Sequence, residues 1–136
     1  MERLKPKISI IGCSNVGMRY AYALIIKGIA RKIVMVDINK DRLEGDVMDL
    51  LHAAPFVILV EIIAGDYEYI IDSDLIVITA GKKQKQGQSR LDIAKDNVNL
   101  FRVLIPHITK YAKSSIYLVV SNPVDILSYA TFKFSN

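Results

Sequence analysis

The sequence predicts an α/β fold built on a doubly wound parallel sheet, and three observations predict it. Short β-branched runs alternate with amphipathic helical segments along the chain. A glycine-punctuated turn, Gly12-Cys13-Ser14-Asn15-Val16-Gly17, joins the first such run to the first helix. Hydrophobic residues make up 51% of the 136, as strands buried on both faces require.

Lys7 to Ile11 reads as the first strand. Asn15 to Lys27 is an amphipathic helix closed by Gly28, which enters the left-handed C′ conformation at little cost. Lys32 to Asp37 is the second strand, and Asn39 suits the N-cap of a helix from about Lys40 to Leu51, with Asp41 and Glu44 near its positive end. Pro55 breaks that helix, and Phe56 to Ala64 is expected as one or two strand segments. Gly65-Asp66-Tyr67 turns the chain into its most apolar strand, Leu75 to Thr79. Gly81 to Arg90 is a polar loop, long against the usual roughly four to six residues, which favours a mobile functional segment. A long helix is expected over Leu91 to Tyr111, kinked at Pro106, then a strand at Ile116 to Val120 and a last helix from Pro123 to Phe134. Five strands so arranged form a Rossmann-type sheet, with residues 1–136 as one domain and a sixth strand expected beyond Asn136 to complete it.

Composition narrows the function classes. No apolar run approaches the ~20 residues of a membrane span, and Glu2, Arg3, Lys5 and Lys7 interrupt any signal peptide, so neither a membrane nor export is expected. The single cysteine, Cys13, has no internal disulfide partner and fits a reducing, cytoplasmic compartment. It reads as a small filler of the turn, since no histidine lies near it in sequence to activate it. The formal charge of +4 is modest, and its densest local source is Lys82, Lys83, Lys85 and Arg90. Without interleaved aromatics, this cluster fits an anionic small molecule better than nucleic acid. No metal site is expected.

The order strand, tight turn, helix, strand, acid over Ile8 to Asp37 is what a dinucleotide requires. Gly12 and Gly17 let backbone approach a pyrophosphate at a helix N-terminus, and Asp37 can accept hydrogen bonds from the adenosine ribose. Ser14 stands where the motif's middle glycine belongs, and its hydroxyl either donates to a phosphate or crowds it.

With these elements in place, further motifs carry a family likeness. They are Gly45-Asp46-Val47-Met48-Asp49-Leu50, Gly65-Asp66-Tyr67, Thr79-Ala80-Gly81, Gly87-Gln88-Ser89-Arg90-Leu91-Asp92 and Ser121-Asn122-Pro123-Val124-Asp125-Ile126-Leu127. From about Lys7 to Ser135 the chain resembles the N-terminal, NAD-binding domain of L-lactate dehydrogenases, in the lactate/malate dehydrogenase family.

The resemblance implies NAD as cofactor. It implies Gly12, Val16 and Gly17 under the pyrophosphate, Asp37 on the adenosine ribose, and Arg42 and Tyr67 on the adenosine side. Gly81 and Lys82 begin a loop that closes over the cofactor, Lys82 standing where the family often has alanine. Val120 and Asn122 flank the nicotinamide, Asn122 with Arg90 also supplies part of the polar catalytic and substrate site, and Asn122-Pro123 is implied to be cis. Arg90 matches the arginine that polarises the substrate's keto oxygen. Gln84, six positions earlier, matches the residue that separates lactate dehydrogenases, with glutamine, from malate dehydrogenases, with arginine. Asp125 has two readings, a substrate-side acid or a first-turn acid complementing a helix dipole.

His52 and His107 read as surface or packing residues. The family's catalytic histidine, its orienting aspartate and its carboxylate-clamping arginine match nothing in this chain, so the chain alone is expected not to turn over. The implied protein is a cytoplasmic oxidoreductase of pyruvate fermentation, a homo-oligomer acting on pyruvate and lactate. The competing readings are a stand-alone nucleotide-binding module or inactive remnant, and a malate dehydrogenase.

Overall fold

A computed structural model describes residues 5–135; Glu2 and Arg3 lie outside the described residues. The expected alternation is present: β1 (Lys7–Ile11), α1 (Asn15–Lys27), β2 (Lys32–Val36), α2 (Lys40–Leu51), β3 (Glu61–Ala64), β4 (Leu75–Ile78), α3 (Arg90–Tyr111), β5 (Ile116–Val119) and α4 (Val124–Phe134). All strand pairs are parallel and the sheet order is β3-β2-β1-β4-β5. This is the Rossmann-type order that the alternation predicted, with five strands among the described residues.

Side-chain alternation along the strands builds a core on each face. Ile8, Ile10, Ile33, Met35 and Val77 point to one face and pack with Ala21, Leu24 and Ile25 of α1 and Leu43, Val47 and Leu50 of α2. Ile11, Val34, Val36, Ile76 and Ile78 point to the other, against Phe101, Leu104, Ile105 and Ile108 of α3 and Leu127 of α4. Each fully buried side chain of this size contributes about 1.5–3 kcal/mol. Ser9 is the polar exception in β1, and its hydroxyl lies 2.7 Å from that of Ser73, so the buried pair satisfies itself.

The local signals act as read. Gly28 takes φ +58° and donates its N–H to the Leu24 and Ile25 carbonyls. Asn39 caps α2, its side chain accepting from the Arg42 N–H. Asp37, Thr79 and Val120 fall one residue beyond the ends of β2, β4 and β5, and Pro123 is the N-cap of α4, not its first residue.

Two expectations need correction. Of Phe56 to Ala64, only Glu61–Ala64 is strand, while Ala54–Phe56 forms a 3-10 turn. The reason is register: Lys32, the first residue of β2, pairs with Glu61, so the residues before Glu61 have no strand beside them. Helix α3 begins at Arg90, not Leu91, because Ser89 forms a reciprocal capping box. Its hydroxyl accepts from the Asp92 N–H at 3.2 Å while the Asp92 carboxylate accepts from the Ser89 N–H at 2.9 Å. Donation to the Asp92 carboxylate from the Ser89 hydroxyl at 2.7 Å, and then from the Ser89 N–H, holds that carboxyl below its ordinary pKa. Beyond this start, α3 continues through Pro106 as one 22-residue helix. Pro106 and Arg102, whose carbonyl loses its helical donor, are both exposed, so water can satisfy that carbonyl.

Candidate cofactor and substrate site

In an open parallel sheet the crevice opens where strand order reverses, outside the C-terminal strand ends. Here that point lies between β1 and β4. The segments leaving β1, β4 and β5 border one cavity of about 690 Å³, whose lining includes Ser14, Val16, Gly81, Lys82, Gln84, Arg90, Val120 and Asn122. That volume suits a small-molecule ligand.

The turn after β1 is shaped by its glycines. Gly12 has φ +90°, and a Cβ there would meet the backbone N and Cα of Ala80 at 2.5 Å. A Cβ on Gly17 would fall on the Gly12 carbonyl oxygen and within 2.9 Å of the Thr79 hydroxyl. The turn is therefore pressed against the segment leaving β4, and α1 starts directly at the cavity. Ser14 is the N-cap of α1 but makes no side-chain cap bond, and no acidic residue occupies the first turn. The positive end of the helix faces the cavity with no acid in its own first turn, which favours an anionic ligand group.

At the β2 end, Asp37 is held by three donors. Its Oδ2 accepts from the Cys13 N–H at 2.7 Å and from the Arg42 guanidinium at 3.2 Å, and its Oδ1 accepts from the Asn39 N–H at 2.9 Å. A carboxylate oxygen accepts two bonds, so Oδ1 retains room for a further donor such as a ribose hydroxyl. Arg42 also faces Asp46 at 3.6 Å and donates to the Cys13 carbonyl at 3.2 Å. Its charge is thus balanced by two carboxylates. Burial, with Asp37 and Asp66 nearby, raises the Tyr67 phenol pKa.

These features fit a dinucleotide: a turn only glycine can form, a helix N-terminus with no acid in its first turn, and an oriented acid at the end of the second strand. The comparisons agree. Residues 6–136 match the family described as lactate/malate dehydrogenase, NAD binding domain. The chain belongs to that family.

As such a domain, it is 52% identical over 134 residues to an L-lactate dehydrogenase of Clostridium botulinum (strain Loch Maree / Type A3), covering 98% of this chain and 42% of the relative. An L-lactate dehydrogenase of Thermoanaerobacter sp. (strain X514) is 50% identical over 129 residues, covering 95% of this chain and 42% of that protein. The chain therefore spans about two fifths of the length of these relatives. A lactate dehydrogenase enzyme from a Medee basin deep-sea metagenome library superposes with TM-score 0.92 at 39% identity, over 98% of this chain and 43% of that one. The minor L-lactate dehydrogenase of Enterococcus mundtii, in a ligands-bound form, gives 0.92 at 37% identity with the same coverages.

Within this NAD-binding domain, Gly12 and Gly17 shape the turn without bordering the cavity, and the other sequence-derived candidates fall into two groups and one outlier. Ser14, Val16, Gly81, Lys82, Gln84, Arg90, Val120 and Asn122 border the cavity. Asp37 and Arg42 form the ion pair at the end of β2, and Tyr67 sits close enough to Asp37 to feel its charge. Asp125 is exposed in the first turn of α4 and does not border the cavity. Neither histidine borders it either: His52 follows α2, and His107 stacks edge-on to Tyr67 with ring centroids 4.6 Å apart. The Asn122-Pro123 bond is cis, as the resemblance implied.

The loop of this domain is cross-braced. Gly87, at φ +85°, occupies the third position of a turn closed by the Gln88 N–H on the Lys85 carbonyl at 3.1 Å. Gln84 donates to the Gln88 carbonyl at 2.7 Å, and the Gln88 side chain accepts from the Lys85 N–H at 2.8 Å. Sequence reasoning passed over Asn97, which borders the cavity although it is only 2% exposed.

Cys13 behaves as the filler it was read to be. Its thiol is buried, faces the Val36 carbonyl at 3.5 Å, and is pushed up to about 12, first by burial and then by Asp37. It should resist alkylation at pH 8 while the protein is folded and react fully in denaturant, which a thiol-titration time course would show. The unfolded thiol titrates near 9.0. Its contribution to stability is therefore intact below that pH and is lost as pH rises toward about 12, because the unfolded chain gives up its proton first. Replacing Cys13 by alanine should flatten this alkaline loss in pH-dependent denaturant melts.

Proposed function

We propose that the protein is an NAD-dependent L-lactate dehydrogenase for which this chain supplies the NAD-binding domain and the substrate loop. The observation that carries this reading is the shared cavity. Arg90 and Gln84, from a loop whose residues match lactate dehydrogenases, border the same space as the N-terminus of α1 and Asn122. When bound there, NAD supplies a nicotinamide able to accept the C2 hydride of lactate and return it to pyruvate.

The chain's residues then have distinct roles. Gly12, Val16 and Gly17 shape the turn that receives the pyrophosphate beside the positive end of α1, and Gly81 and Lys82 begin the loop that covers it. Asp37 accepts from the adenosine ribose, with Arg42 and Tyr67 beside it. Because Arg42 is already balanced by Asp37 and Asp46, a 2′-phosphate would meet net negative charge. Val120 and Asn122 flank the nicotinamide. Arg90, at the first position of α3, carries the cation that balances charge developing on the substrate's C2 oxygen, an effect that grows as loop closure excludes water. Gln84 presents a neutral amide, which leaves room for a methyl group and offers no charge to a second carboxylate. Asp125, exposed beyond the cavity rim, complements the dipole of α4.

With neither histidine at the cavity, this chain by itself binds cofactor without turning substrate over. The reading includes a cytoplasmic homo-oligomer acting on pyruvate and lactate. Exposed apolar side chains such as Ile26, Phe56 and Leu59 are available to subunit contacts.

Calorimetric titration of the purified chain with NADH and with NADPH tests the cofactor part. Saturable NADH binding with NADPH at least about tenfold weaker, ~1.4 kcal/mol, is expected. Equal affinities would remove the role given to Asp37, and no binding by a folded chain would overturn the assignment of the cavity.

A further inference from the structure

Asn97 stands in the N-terminal half of α3, the helix that follows the loop, yet it is nearly inaccessible. Both ends of its amide are engaged across chain segments far apart in sequence. Its Oδ1 accepts the Lys82 N–H at 2.7 Å, and its Nδ2 donates to the Asn122 carbonyl at 2.8 Å. A second brace lies alongside: the Ser121 hydroxyl donates to the Ala80 carbonyl at 2.6 Å. Gly81 runs between the two braces, where a Cβ would sit 3.7 Å from the Asn97 amide. The base of the loop and the turn at Asn122 are thereby joined into one unit.

We propose that Asn97 is a positioning residue that fixes the base of the loop to the Asn122 turn, so that loop residues and Asn122 reach the bound cofactor in a set register. The inference rests on the cavity being the NAD site. Asparagine suits this post because one planar amide offers a donor and an acceptor about 2 Å apart, at fixed orientation. Aspartate would keep the acceptor for Lys82 but set a second oxygen against the Asn122 carbonyl. Alanine would take away the acceptor of the part-buried Lys82 N–H and the donor to the Asn122 carbonyl together.

The test uses the whole chain, with Asn97→Asp and Asn97→Ala, read by two measurements. Hydrogen exchange by NMR reports the Lys82 amide without any cofactor, and calorimetry reports NADH affinity. The Lys82 amide should be protected in the wild type and in Asn97→Asp, and should exchange at least about tenfold faster in Asn97→Ala. NADH affinity should fall about tenfold in both variants, the equivalent of one unmade hydrogen bond. Wild-type chain that binds NADH, with a folded Asn97→Asp variant whose affinity stays within about twofold, overturns the proposal. If Asn97→Ala does not fold, Asn97→Asp decides alone. A wild-type chain that fails to bind NADH overturns the cofactor reading instead, and the Lys82 exchange result then still decides whether the brace exists.

Discussion

Gly12→Ala is expected to cost the domain about 3–5 kcal/mol and to abolish measurable NADH binding. Two penalties coincide at this residue. A φ of +90° is strained for any side chain, on the order of 1–3 kcal/mol, and the added methyl would lie 2.5 Å from the Ala80 backbone. Backbone cannot rotate aside as a flexible side chain can, so either the turn or the segment leaving β4 must shift. Both border the cavity, and the pyrophosphate seat is lost with the strain. Gly45→Ala is the control, since a Cβ there meets nothing within 4 Å and the residue lies inside α2. It should leave NADH affinity unchanged and stabilise the chain by up to ~1 kcal/mol through helix propensity. Urea midpoints and calorimetry on both variants check the pair. A Gly12→Ala protein with a wild-type midpoint would refute the packing argument.

Asp37→Ala is expected to weaken NADH binding by about 10²-fold while narrowing or reversing the preference over NADPH. The carboxylate is the acceptor for the ribose, and hydrogen bonds to a charged partner contribute about 1.5–3 kcal/mol each. Its removal also frees Arg42 from its 3.2 Å partner, so the guanidinium can turn to a 2′-phosphate. A structural cost accompanies the change, because the Cys13 and Asn39 N–H groups lose their acceptor. Parallel titrations with the two cofactors separate the effects. General destabilisation would lower both affinities together, whereas loss of ribose recognition changes their ratio.

Much of this protein was legible because its signals are local. Gly28 in the left-handed region, Asn39 at its cap and the period-2 and period-3.6 runs determine β1, α1, β2 and α2 within a few residues of themselves. Phe56 to Val60 shows the opposite case. Those residues are apolar and β-prone, yet strand formation needs a paired neighbour, and β2 begins at the residue that pairs with Glu61. The capping box at Ser89 and Asp92 was present in the sequence as a serine followed three residues later by an acid. That pairing fixes the start of α3 at Arg90 even though the preceding loop is polar throughout.

The candidate site divides in the same way. Composition and motif order by themselves determined the α/β class, the glycine turn, the acid after the second strand and the likeness that singles out Gln84 and Arg90. Each of these depends on residues close together in the chain, or on their order along it. Only the tertiary structure decided that Asp37 is held by Cys13, Asn39 and Arg42, that Asp125 lies outside the cavity, and that Asn97 is buried between Lys82 and Asn122. An asparagine on a helix carries no mark of burial in its own neighbourhood. Its environment is made by a loop 15 residues before it and a turn 25 residues after it, which meet only when β4 and β5 pair.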